Sequence, residues 1–366
     1  MELSELSNEE LIALHKQATK EATKWSNFQM ARKICLNSLY GALGNNFFRY
    51  FKLENAEAVT STGQVTIRWI ERKLNEFVNK ALGTEDHDYV VASDTDSIYL
   101  HLGDLVTRVM GSDASAQRVV PVLNQFVEDK IVPFIEDSYE ELAAYLNCYE
   151  QTLIMKRECI AERGIWTAKK RYILNVWDNE GVRYDEPKLK MMGIEAVKSS
   201  TPAPVRDYIK EALKIIMEGT EDDIITFIEQ KRVEFSSLPP EAIAFPRSVS
   251  DVTKYHSGVT IYGKGTPIHA RGALLFNHHL KARDLGSKYS YIQDGEKIKF
   301  VYLKLPNPLK ENVISFISEL PREFGLTDFI DYDKMYNKAF IEPMKLILDT
   351  IDWRTEKTAQ LDMFFQ

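Results

Sequence analysis

The residues best suited to chemistry are two aspartates one position apart. Asp94 and Asp96 lie in Ser93-Asp-Thr-Asp-Ser97, between two short apolar runs, Tyr89-Val-Val-Ala and Ile98-Tyr-Leu-His-Leu. That pattern predicts a hairpin with both carboxylates at its tip. Two acids held this close repel unless a cation neutralises them, and Mg²⁺ is the usual hard-oxygen partner. The alternative is plain turn chemistry, because Asp and Ser are common turn residues.

A second group lies upstream. Lys33, Asn37 and Tyr40 recur at helical spacing, which at ~100° per residue puts them on one face. A cation can neutralise a polyphosphate, an amide and a phenol can touch a base or sugar edge, and the adjacent Gly41 lets backbone approach a nucleotide closely. A solvated lysine beside a helix C-cap explains the same residues without function.

The elements that must position these groups are readable from the pattern. Ser7-Asn-Glu-Glu10 is a capping box opening a helix to about Gly41, and a second helix runs from about Ala56 to Leu82, with Gly83 as its stop. Helical segments are predicted around 117–146, strands around 151–160 and 170–177, and helices near 204–218, 221–232 and 331–349. The stretch 256–272 reads as irregular and Gly-rich, and the last dozen residues carry no core pattern.

Composition bounds the possibilities. The 366 residues are 44% hydrophobic and 27% charged, enough for a sizeable core in two or three domains. No apolar run approaches the ~20 residues of a membrane span, and the N-terminus has no signal-peptide pattern. Cys35, Cys148 and Cys159 are odd in number and in no CxxC spacing, which argues against a disulfide framework or a zinc site and suits a reducing cytoplasm. The net charge of −8 argues against a nucleic-acid binder only globally. Lys169-Lys170-Arg171, Lys188/Lys190 and Lys264…Arg271 are local basic clusters able to line a groove. His278-His279 has no third ligand nearby in sequence and reads as a solvated helix pair, and Met191-Met192 as core.

Three segments carry a family resemblance. Lys33-Ile-Cys-Leu-Asn37-Ser-Leu-Tyr40-Gly41 matches the pattern Kx3NSxYG of family B DNA polymerases, Asp94-Thr-Asp96-Ser97 resembles their DTDS motif, and Lys169-Lys170-Arg171-Tyr172 is similar to their KKRY motif. All three occur in the family's order and at about its spacing. Asn37–Arg49, Ile165–Trp177 and Pro187–Pro202 look like the replicative polymerases of T-even-type bacteriophages.

The resemblance implies an α+β fold forming part of a polymerase right hand: the second fingers helix over 1–45, a palm with an antiparallel sheet and catalytic hairpin over 46–202, a thumb over 203–355 and a flexible tail over 356–366. It implies attack of a primer 3′-hydroxyl on the α-phosphate of a dNTP, with two Mg²⁺ ions (or Mn²⁺) about 3.5–4 Å apart. Asp96 would be a direct metal ligand and Asp94 a ligand or near neighbour. Glu158 resembles a third acidic palm residue, with a strand-surface ion pair as the alternative. Lys33, Asn37, Tyr40 and Gly41 would meet the dNTP. Lys169, Lys170, Arg171 and Tyr172 would hold the primer terminus, and Lys264 and Arg271 would grip the duplex backbone. Gln360, Leu361, Met363, Phe364 and Phe365 resemble a peptide that docks on a sliding clamp.

One departure is large. The DxxSLYP motif that supplies another metal-binding aspartate, the first fingers helix and the 3′–5′ exonuclease have no counterpart in these residues. The expectation is the C-terminal subunit of a split polymerase, completed by an N-terminal subunit, in the cytoplasm of a phage-infected host. A non-catalytic DNA- and clamp-binding remnant is the alternative. A DxD glycosyltransferase is a distant one, since it explains neither Kx3NSxYG nor the terminal peptide.

Overall fold

The computed structural model describes residues 6–250, 252–255 and 260–357. In chain order the elements are helix α1 (Asn8–Leu43), α2 (Leu53–Leu82), strands β1 (Val90–Asp94) and β2 (Ser97–Leu100), α3 (Gly103–Met110), α4 (Ala116–Phe126), α5 (Val132–Tyr145), β3 (Cys159–Ala168), β4 (Arg171–Asn179), β5 (Val182–Met192), α6 (Ala203–Glu218), α7 (Glu221–Ser236), α8 (Pro240–Ile243), β6 (Phe245–Ser248), α9 (Ile268–Ala282), β7 (Lys297–Tyr302), β8 (Val313–Phe316), α10 (Tyr332–Tyr336) and α11 (Glu342–Leu348). Helices with small antiparallel sheets, β1-β2, β3-β4-β5 and β6-β7-β8, make this the α+β class expected. The chain divides into two compact units, residues 1–112 with 128–156, and residues 113–127 with 157–366.

In the first unit α1 begins at the predicted capping box: Ser7 Oγ accepts from Glu10 N, and Glu10 Oε2 accepts from Ser7 N at 2.9 Å. None of its 36 residues is buried. By contrast, α2 buries Ile70, Leu74, Val78 and Leu82, an i, i+4 stripe, and ends at Gly83 in the left-handed region, φ 65°. It packs on α5, where Phe77 meets Phe134 at 4.6 Å and Trp69 Nε1 donates to the Ser138 carbonyl at 3.0 Å. Truncating Leu74 inside this seam would cost about 2–5 kcal/mol.

The second unit holds the larger core. Ile173 on β4, Ile209 and Leu213 on α6, Phe235 on α7, Leu275 on α9, Val301 on β7, Phe316 on β8 and Phe340 all join it, fully or nearly fully buried. Gly272 on α9 is required by packing, since a Cβ there would lie 2.4 Å from Ser315 Oγ on β8.

The structure corrects several boundaries. Residues 151–158 are not a strand; β3 starts at Cys159. A β-forming run stays irregular without a partner strand to take its backbone hydrogen bonds. Helix α9 starts at Ile268, inside the stretch read as irregular, because Pro267 and the following apolar residues seat on β8. The segments 117–146 and 331–349 are each interrupted by a π turn, Val127–Ile131 and Asn337–Ile341. Met191 packs against the core as expected, whereas Met192 is exposed. His279 is half-buried against Phe324, so only His278 of that pair is solvated.

Candidate active site

The two aspartates stand where the hairpin pattern puts them. Asp94 ends β1, opposite Ser97 of β2, with only Thr95 and Asp96 between. Thr95 has φ 54°, unusual for a β-branched residue. The Asp96 N–H donates to the Asp94 carbonyl across it at 2.6 Å, so the tip is a γ-turn of the rare, strained hand. Thr95 Oγ1 donates to Asp94 Oδ1 at 2.9 Å and Ser97 Oγ to the Asp94 carbonyl at 3.1 Å. Asp94 is half-buried and Asp96 exposed. A strained, cross-braced tip of this kind holds two carboxylates in a fixed relation.

The hairpin is anchored to α2 by a residue the sequence reading did not single out. Asn75 Oδ1 accepts from the N–H groups of Tyr89 and Val90 at 2.8 and 3.1 Å, and its Nδ2 donates to Asp88 Oδ1 at 2.8 Å. An asparagine on an amphipathic helix carries no signal of such a role. Its only sequence clue is a polar residue one position from the buried Leu74.

Among the described residues, no cluster of three or more His, Cys, Asp or Glu side chains is placed to hold a metal ion. In kind, Asp94 and Asp96 fit Mg²⁺ or Mn²⁺, which take hard oxygen ligands. In number they are two carboxylates one residue apart.

Lys33, Asn37, Tyr40 and Gly41 are all exposed on α1, whose C-terminal end is tied to the start of α2, the helix that carries the hairpin, by the Lys52 N–H donating to the Leu43 carbonyl. A shallow groove of about 390 Å³ along α1 is lined by Trp25, Phe28, Gln29, Arg32, Lys33, Leu36 and Asn37.

Lys169 and Lys170 form the two-residue turn between β3 and β4, with Lys170 at φ 60°. Tyr172 pairs with Trp166 across the strands, their rings 6.5 Å apart. Arg171 is engaged within the fold: its Nη1 and Nη2 donate to Glu195 Oε1 and Oε2 at 2.9 and 2.8 Å. Glu158 is exposed and accepts from Lys190 Nζ, the ion pair weighed as its alternative. Although burial works against its charge, that carboxylate holds the Lys190 ammonium above its ordinary range. Beside it, Arg157 pairs with the buried Asp178 at 2.6 Å.

Lys264 is exposed in a turn completed by Gly265, φ 85°. Arg271 lies on α9, where its Nη2 donates to Asn312 Oδ1 and its guanidinium sits 5.5 Å from the Tyr262 ring. Tyr262 in turn donates to Glu311 at 2.9 Å. Gln360, Leu361, Met363, Phe364 and Phe365 lie outside the described residues. No helix among the described residues is long and apolar enough to cross a membrane.

Much of the chain matches known protein families. A family model described as "DNA polymerase family B" matches residues 10–131, and one described as "Divergent Family B DNA polymerase" matches 81–229. The chain belongs to the family B DNA polymerases. The DNA-directed DNA polymerase of Enterobacteria phage T4 is 36% identical over 378 aligned residues, covering 100% of this chain and 41% of the relative. That of Escherichia phage RB69 is 35% identical over 377, covering 99% and 41%. A "DNA polymerase beta" of African swine fever virus is 28% identical over 177, covering 46% and 14%. The chain thus spans about 41% of the length of the two phage relatives.

Proposed function

We propose that this chain supplies the second fingers helix, part of the palm and the thumb of a DNA-directed DNA polymerase. The observation that carries the reading is the braced Asp94-Thr95-Asp96 tip in a chain of this family. On this reading a primer 3′-oxygen attacks the α-phosphorus of a dNTP, the new phosphodiester forms, and pyrophosphate leaves. Divalent ions, when bound, neutralise the charge developing on the attacking and leaving oxygens.

Each residue has a share in this. Asp96, exposed at the tip, and Asp94, oriented by Thr95, are the carboxylates that hold the ions. Lys33 neutralises triphosphate oxygens, Asn37 orients the nucleotide, and Tyr40 with Gly41 borders the nascent base pair. Glu158, paired with Lys190, is on this reading the third acid of the palm. Lys169, Lys170 and Tyr172 hold the primer terminus, Lys264 and Arg271 serve the duplex backbone, and the segment 360–365 docks on a sliding clamp.

The remaining palm aspartate, the first fingers helix and the exonuclease are, in this reading, supplied from outside these 366 residues. The bare α1 supports this, since Leu14, Trp25, Leu36 and Leu39 are exposed along a helix with no buried residue and large apolar side chains in such a row mark a surface for a partner. The test is primer extension with Mg²⁺ by this chain mixed with a polypeptide carrying a DxxSLYP motif and the first fingers helix. Extension should require both chains and vanish with Asp96→Asn. Full-rate extension by this chain alone would refute the partner, and none from the mixture would refute the polymerase reading.

A further inference from the structure

The turn that carries Lys169 and Lys170 is held from below by a short segment just past β5. That strand ends at Met192, paired with Tyr172. Gly193 follows at φ 67°, so close under the turn that a Cβ would lie 2.4 Å from the Lys170 carbonyl oxygen. A 3₁₀ turn, Glu195–Val197, comes next, and Ile194 and Ala196 on either side of Glu195 are buried in the core of the second unit. Glu195 therefore stands on a fixed base. Both its oxygens are engaged by Arg171, and Oε1 also accepts from Lys198 Nζ at 2.9 Å.

The Arg171 and Glu195 side chains are only 22% and 19% exposed. A forked, partly dehydrated guanidinium–carboxylate pair fixes direction as well as distance. Pulling Arg171 out to a phosphate would leave Glu195 half-buried with Lys198 alone, which opposes such a movement. Lys169 and Lys170, by contrast, are exposed at the turn itself.

We propose that Glu195 is a positioning residue for DNA binding: it locks Arg171 into the scaffold beneath the β3–β4 turn, so that Arg171 acts as a strut and Lys169, Lys170 and Tyr172 make the contacts. This rests on the reading of that turn as the primer-gripping element. It assigns Arg171 a role opposite to the one its place in a basic cluster suggests.

The test is the affinity of the full chain for a primer–template duplex, by fluorescence anisotropy over a range of salt. Lys169→Ala with Lys170→Ala is the control for the underlying reading; if affinity and salt dependence do not change, the turn is no DNA contact and the proposal falls with that reading. If they weaken binding, Glu195→Gln decides the proposal itself. It should weaken binding roughly tenfold, the scale of one lost charge-assisted pair, and leave the salt slope unchanged. Equal or tighter binding with a slope steeper by about 1 would mean a released Arg171 meeting a phosphate, and would overturn the proposal. Should Glu195→Gln unfold, the exchange Arg171→Glu with Glu195→Arg rebuilds the pair reversed. It should recover binding relative to Arg171→Glu alone if the pair is a strut, and failure to recover would count against it.

Discussion

Asn75 Oδ1 accepts hydrogen bonds from two consecutive backbone N–H groups, those of Tyr89 and Val90, and so stitches the start of β1 to the middle of α2. The β1–β2 hairpin inherits its placement from that stitch, because two strands alone are marginal in water. Asn75→Ala leaves the Tyr89 N–H without its acceptor and the Val90 N–H with Asp88 Oδ1 alone, and should lower stability by about 1–3 kcal/mol, read from urea denaturation. It should also depress extension by the reconstituted polymerase, even where the protein is still folded.

Asp96 presents the opposite case. It is exposed, so Asp96→Asn should shift stability by no more than about 0.5 kcal/mol. In the reconstituted polymerase the same change should cut extension at least about a hundredfold, as removal of a charge-stabilising group does. A variant retaining wild-type extension would show that the tip is turn chemistry only.

Gly193 and Gly181 separate crowding from backbone strain. Both have positive φ, 67° and 85°, but only at Gly193 would a Cβ strike another atom, the Lys170 carbonyl oxygen. Gly181→Ala should cost about 1–2 kcal/mol for its conformation. Gly193→Ala should cost more, and thermal melts of the two variants measure the difference.

The Glu195 carboxyl sits below its ordinary value of 4.5: burial works to raise it, but hydrogen bonds from Arg171 and Lys198 prevail. A depressed carboxyl stabilises the folded state above its unfolded value and loses that contribution as the folded value is crossed from above. The stability gap between wild type and Glu195→Gln should therefore be full at neutral pH and shrink as the pH falls below 4.5. A gap that widens in acid would contradict the arrangement.

Backbone amides of α1 should exchange fast in the isolated chain, since none of its residues is buried, whereas those around Leu74 on α2 should be slow. Adding the partner polypeptide should protect α1. Hydrogen exchange of the two samples compares them directly.

Much of this was legible in the residues, and the exceptions have physical causes. The capping box at Ser7 and the glycine stop at Gly83 are local signals, and both helices end where they point. The Asp94–Asp96 tip was readable because turn residues between two apolar runs leave little choice of register. Strand β5 escaped notice because Arg183, Asp185, Glu186, Lys188 and Lys190 make it charged, as an edge strand can be. Strand β8, Val-Ile-Ser-Phe, is buried at every position and so has no alternation to read. The engagement of Arg171 by Glu195 joins residues 24 apart, and no sequence period reports such a meeting.

The bare helix has a mechanical meaning. At about 1.5 Å per residue, the 36 residues of α1 extend roughly 54 Å, and the end nearest α2 is secured where Lys52 N donates to the Leu43 carbonyl. As a rigid rod it would pivot near Gly44. A tilt of about 5° there would sweep the far end through roughly 5 Å yet move Lys33, eleven residues from Gly44, by only about 1.4 Å. Whatever grips the distal half can thus adjust the lysine's reach in fine steps.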